Sequence, residues 1–231
     1  MAMQAQRVPT IPPTPSNDPW LSPLAFLSKF MLALRRVWDE VCLATCRSLR
    51  VRYPNGCVVL YDRSEVALTG PAVSSPIFPI LQHLGHHVFQ TVTLNVVESL
   101  DGGETTFAWR TTVGVTSVIM KSDLMTTDDW TEREVTKEWI RLAFALPRNA
   151  RVASALPIPA YHGLFQGARE SIILMSDCGD PITNFPDVQD ELRRAQFEAI
   201  AEMENAGVVV QDIAARNTVF DGRRVRIIDF V

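Results

Sequence analysis

Three oxygen-bearing side chains near the carboxyl end, Asp212, Asn217 and Asp229, stand at spacings suited to phosphate chemistry. The β-prone runs Val219-Phe220 and Val225-Arg-Ile227 flank Asp221-Gly222, a dipeptide that favours a tight turn. Pairing those runs sets Asn217 and Asp229 opposite each other within about one residue, so two oxygen ligands converge at one hairpin mouth. Magnesium suits such a mouth, because it takes one or two protein oxygens and completes its octahedron with water and substrate phosphate. Asp212 opens the irregular loop before Asn217. From there a third carboxylate could reach the same mouth and accept a proton from an attacking hydroxyl.

The elements that must carry these residues belong to an ordinary globular chain of 231 residues, 47% hydrophobic and 21% charged, long enough for one good core or a core with a small appended domain. The net charge of −4 is unevenly spread. Seven basic and three acidic residues up to Leu60 leave 15 and 23 beyond it, so the charge runs from +4 to −8 and does not favour a nucleic-acid binder. Four cysteines (Cys42, Cys46, Cys57, Cys178), with no secretory signal in view, read as reduced cytosolic or nuclear thiols. The apolar stretch Leu24 to Leu34 is broken by Lys29 and too short to span a bilayer.

Residues 1–23 hold six prolines among Thr, Ser and Asn, and read as a disordered tail. Leu24, Leu27, Met31, Leu34, Trp38, Val41 and Thr45 recur at three- and four-residue steps, predicting an amphipathic helix to about Ser48 whose apolar stripe packs on the downstream domain. The alternative for that stripe, flanked by Lys29, Arg35 and Arg36, is an anionic membrane or a partner's groove. Asn55-Gly56 marks a hairpin between Val51 and Tyr61. Val88–Val97, Thr106–Val113 and Thr116–Lys121 read as an antiparallel meander, with Asp101-Gly102-Gly103 and Gly114 at its turns. A capping signal at Thr131 opens a helix bearing Val135, Trp139, Leu142 and Leu146 on one face. Ser171–Met175 is a short buried strand, and Asp187 to Ala206 a second amphipathic helix. His83, His86 and His87, or Cys42 with Cys46, lack the paired spacing of a metal site.

In this arrangement the chain resembles a protein-kinase-like fold, whose catalytic loop His-x-Asp-x-x-x-x-Asn is followed by a hairpin ending in Asp-Phe-Gly. Asp212, Asn217, Asp229 and Phe230 match that spacing. Val118-Ile-Met-Lys121 is similar to the strand motif Val-Ala-Ile-Lys, and Gly102 and Gly103 precede it by a strand hairpin, as a phosphate-covering loop should. The phrasing Gly-Val-Val-x-x-Asp-Ile-Ala-x-Arg-Asn with Arg-Ile-Ile-Asp-Phe is most similar to small fungal kinase-like proteins related to aminoglycoside phosphotransferases, and Asp-Ile-Ala-Ala-Arg-Asn echoes the tyrosine-kinase loop.

The resemblance implies an α+β, two-lobed fold: an N-lobe antiparallel sheet plus helix over 88–175, and a truncated helical C-lobe with the catalytic hairpin over 176–231. Residues 24–87 form a helix-and-hairpin extension ahead of it. It implies ATP and Mg2+ as cofactors, Asp212 as base, Lys121 on the phosphates, Glu134 (or Glu138) paired with that lysine, backbone near Met175 and Asp177 on the adenine, and Asn217 with Asp229 on magnesium. The acceptor is an unidentified hydroxyl on a protein or small molecule.

Several positions depart from the pattern. Val210 stands where the catalytic-loop histidine belongs, Gln211 follows it, Val231 replaces the glycine after Asp229-Phe230, and Ile119 replaces the small alanine beside the adenine. Glu104 sits unfavourably in the glycine loop. The chain stops before any activation segment or substrate-binding helices. The rival expectation is therefore a noncatalytic pseudokinase or fragment that binds partners through the same scaffold.

Overall fold

The computed structural model describes residues 23–64, 89–100, 106–123, 156–168, 170–182, 190–208, 210 and 213–228. Helix α1 (Pro23–Thr45) begins on a proline, whose fixed φ suits the first helical position, and passes directly into strand β1 (Cys46–Arg52). A turn held by Gly56 N–H to the Tyr53 carbonyl, 3.0 Å, and Cys57 N–H to Asn55 Oδ1, 2.9 Å, reverses the chain into β2 (Val58–Arg63). The expected meander is present as β3 (Phe89–Leu100), β4 (Thr106–Val113) and β5 (Thr116–Asp123), antiparallel throughout. Strands β6 (Tyr161–Gln166) and β7 (Ser171–Ser176) follow, then helix α2 (Asp190–Asn205), a single 3-10 turn at Ala215–Asn217, and the hairpin β8 (Thr218–Phe220) and β9 (Val225–Ile227).

The class is α+β as expected, but the sheet differs in form. Seven strands close into a barrel in the order β1-β2-β6-β7-β5-β4-β3, and the closing pair, β1 with β3, is parallel. The β1–β2 hairpin, expected as part of an extension, is thus two staves of the same barrel as the meander. The burial pattern agrees: Leu49 and Val51 point into the barrel and alternate with exposed Arg50 and Arg52, while both edges of β1 are paired, with β2 and with β3.

Two cores result. One fills the barrel, where Leu49, Val51, Tyr61, Leu94, Val118, Met120, Phe165, Ile172 and Leu174 interdigitate, and Cys42 and Leu43 of α1 close one end. The other lies outside the wall: Tyr161, Leu164, Ile173 and Met175 pack against Ala199, Ile200 and Met203 of α2 and Val225 and Ile227 of β9. Strand β7 therefore buries both faces, which explains its uninterrupted apolar run Ile-Ile-Leu-Met.

Arg63 locks α1 to the barrel. Its guanidinium donates to the Cys46 carbonyl at 2.7 Å, to the His162 carbonyl at 3.0 Å and to the Leu43 carbonyl, while stacking 4.5 Å over the Phe165 ring. A cation there satisfies carbonyls that the end of a helix leaves without intrahelical partners. Farther up the helix, the buried Asp39 carboxylate accepts from Val115 N–H, 2.8 Å, and Thr116 Oγ1, 3.0 Å. The rest of the expected packing of α1 is not observed: Phe26, Leu27, Phe30, Met31, Leu34 and Trp38 are all exposed. The expected tail (1–23, bar Pro23) and the helix opening at Thr131 lie outside the described residues.

Candidate functional site

The outer face of the wall carries ordered rows of side chains, because residues paired across antiparallel strands project to the same side. Leu100, Ala108, Lys121 and Ile173 form one row across β3, β4, β5 and β7. The next row is Arg110, Ile119, Met175 and Tyr161. Lys121 is half-buried on the same strand face as Ile119, which packs against the outer core. The 101–105 connection, which holds Gly102 and Gly103, leaves β3 at Leu100 and so starts level with Lys121.

The segment after β7 forms a strap toward the carboxyl-terminal hairpin. Met175 is buried in the ladder between Ile119 and Tyr161, and Ser176 N–H donates to the Ala160 carbonyl at 2.7 Å. The Asp177 carboxylate takes Ser117 Oγ at 2.7 Å, Gly179 N–H at 3.1 Å and Arg110 Nε at 2.9 Å. Arg110 also meets Glu98 and Asp180, each at 2.6 Å, and three carboxylates around one guanidinium hold it firmly protonated. Cys178 is buried, and burial pushes its thiol upward, away from reactivity. At the end of the strap Pro181 bridges Val219, and Ile182 N–H donates to the Thr218 carbonyl at 2.8 Å.

The hairpin forms in the expected register, with Thr218 opposite Ile227 and Phe220 opposite Val225. Asp221 accepts Arg223 N–H and Arg224 N–H, both at 2.9 Å, and these bonds hold its carboxyl below the usual range. Asn217 is buried at the open end, and its carbonyl accepts Ile228 N–H at 2.8 Å, extending the ladder one step toward residue 229. Thr218 is fixed from behind by Gln196 Nε2 of α2, 2.7 Å from its Oγ1. Two bonds seat β9 on the segment before β6: Ile227 N–H to the Pro157 carbonyl, 2.7 Å, and Arg226 to the Ile158 carbonyl, 3.1 Å.

Of the expected site residues, Lys121, Met175 and Asp177 share one face of adjoining strands β5 and β7 or the strap that follows, and Asn217 begins the hairpin packed on the core beneath that face. Gly102, Gly103, Glu134, Asp212 and Asp229 lie outside the described residues. Among the described residues no group of three or more His, Cys, Asp and Glu could hold a metal ion. Val210, at the expected histidine position, is buried in the outer core, 7% exposed. Arg110, Ser117 and Gln196 escaped the sequence reading. A cation and a hydroxyl on neighbouring strands are unremarkable until the register brings both to one carboxylate.

No protein-family model matches the chain. No curated protein matches it by sequence. It is similar to the crystal structure of a mutant kinase domain of Mycobacterium tuberculosis PknI, at 20% identity with a TM-score of 0.42, over 59% of this chain and 58% of that one. The match spans little more than half of that kinase domain, and a likeness of this size carries no weight for function.

Proposed function

We propose that the chain is a kinase-like nucleotide-binding protein that takes Mg-ATP on the outer face of β5 and passes its terminal phosphate to a hydroxyl acceptor. One observation carries the reading. Lys121 lies on the third strand of the meander, level with the point where the 101–105 connection leaves the first. In protein kinases the phosphate-gripping lysine stands on the third strand, beneath a glycine-rich loop. Gly102 and Gly103 then cover the phosphates, Glu134 orients Lys121, and main chain between Met175 and Asp177 meets the adenine.

The ion fits the donors. Asn217 and Asp229 offer hard oxygens, one neutral and one anionic, and magnesium draws its remaining ligands from water and phosphate. When bound, it neutralises charge on the transferring group. Asn217 is prepared for that role by burial and by its place in the ladder, and Asp212 accepts the proton of the acceptor hydroxyl.

A second reading, a noncatalytic scaffold of the same family type, is favoured by Val210. An aliphatic side chain inside the outer core makes none of the hydrogen bonds by which a catalytic-loop histidine steadies the metal-binding aspartate.

Thermal unfolding with and without Mg-ATP tests the site. Ligand at 100 times its dissociation constant stabilises by about 2.7 kcal/mol, or about 5–11 °C in a domain of this size. Lys121→Met should remove the shift, and no shift in the native protein at millimolar Mg-ATP overturns the proposal. Phosphate transfer lost in Asp212→Ala, with the shift kept, identifies the catalyst; a shift without any transfer by the native chain identifies the scaffold.

A further inference from the structure

The amino-terminal two thirds of α1 presents an exposed apolar surface. Phe26 is 63% exposed, Phe30 51% and Trp38 58%, with Leu27, Met31 and Leu34 between them. At about 100° per residue these six fall within an arc of roughly 140°. The stripe continues past the helix. Met31, Leu34, Val37, Trp38 and Val41 border an open groove of about 820 Å3 whose far wall includes Val115 of the β4–β5 turn. A contiguous apolar patch of this extent marks an interaction surface.

Charge identifies the occupant. Lys29, Arg35 and Arg36 are the only charged residues from Pro23 through Trp38, and all three are exposed. Arg35 borders the apolar arc, while Lys29 and Arg36 project from the opposite side. The chain through Leu60 carries net +4, against −8 beyond. A second copy of the helix would bring three like charges against three, whereas an anionic lipid surface complements them and repels the acidic remainder. Among the described residues no helix is long and apolar enough to cross a membrane. From Pro23 to Trp38 the helix carries Phe, Leu and Trp along one arc and cations as its sole charges, with Ser28 and the exposed Leu32 on the far side, and such a helix lies in the interface plane instead.

We propose that α1 is a membrane-interface helix, laying Phe26, Phe30, Leu34 and Trp38 into the headgroup boundary of an anionic bilayer, with Lys29, Arg35 and Arg36 meeting lipid phosphates and carboxylates. The anchor at its carboxyl end, Asp39 on the β4–β5 turn and Arg63 on the Leu43 and Cys46 carbonyls, sets the barrel at a fixed attitude to that surface.

The test is cosedimentation of the full chain with phosphatidylcholine vesicles carrying 30% phosphatidylserine or none. Binding is expected on the anionic vesicles only. It should weaken roughly fivefold for each cation removed, on the order of a hundredfold in the Lys29→Gln/Arg35→Gln/Arg36→Gln variant. Raising NaCl to 0.5 M should weaken it as screening predicts. Phe26→Gln/Phe30→Gln/Leu34→Gln, at exposed positions that leave the thermal transition unchanged, should abolish it. Equal binding to both vesicles, no binding to either, or full retention in the apolar variant overturns the proposal. So does self-association lost in that variant without any vesicle binding, which would assign the face to a second copy.

Discussion

Gly179 separates the cost of an unusual backbone from the cost of contact across the candidate site. Its φ is +94°, and a Cβ there would stand 2.5 Å from the Phe220 carbonyl oxygen in β8. Gly222, in the hairpin turn, has nearly the same φ, +85°, but nothing within 4 Å of its Cβ position. An alanine at Gly222 meets only the left-handed penalty, about 1 kcal/mol. At Gly179 ordinary contact begins near 3.4 Å, so strap or hairpin must give by about 0.9 Å, which adds about 2 kcal/mol of overpacking strain. Urea unfolding at an m-value of about 3 kcal/mol/M should place the midpoint about 1 M lower in Gly179→Ala and about 0.3 M lower in Gly222→Ala. The strap is tied to Thr218 and Val219, next to Asn217, so Gly179→Ala should also reduce the thermal shift from Mg-ATP while Gly222→Ala preserves it. Equal midpoints for the two variants would refute the reasoning, since only the contact with Phe220 distinguishes them.

Two further outcomes follow from groups packed where α1 meets the barrel. Arg63→Met leaves three carbonyls without their cation and should cost about 4 kcal/mol, read as a fall in melting temperature of about 8–16 °C; a loss below about 1 kcal/mol would show that water replaces the guanidinium. His162 is buried, and burial, with the Arg63 charge adding to it, pushes its pKa down to about 4. The unfolded chain then binds the extra proton between about pH 6.5 and 4, so stability is full above that window and falls through it by about 1.4 kcal/mol per unit as pH drops. His162→Asn should flatten that part of the stability profile measured by urea unfolding, and an unchanged slope would mean that the imidazole is protonated in the fold.

Local signals in the sequence determined the elements. Alternation and turn residues marked the meander, the Asn55-Gly56 hairpin and the Asp221-Gly222 hairpin, whose observed pairing of Thr218 with Ile227 follows from the short distance between its strands. Helical periodicity marked α1 and α2 for the same reason: a period of 3.6 residues is written into neighbours. Tertiary structure decided what neighbours cannot encode. The parallel pairing of β1 with β3 joins strands 37 or more residues apart, and no local pattern names a distant partner, so the barrel was not legible. Strand β7 read simply as buried, and only the second core outside the wall explains why both of its faces are apolar. The convergence of Arg110, Ser117 and Asp177, and the strap that meets Phe220 at Gly179, depend on register summed across several strands, where a shift of one residue would turn every side chain to the other face. The apolar stripe of α1 was written in the sequence, but whether protein covers it depends on how far the barrel reaches along the helix, and it reaches only the carboxyl end.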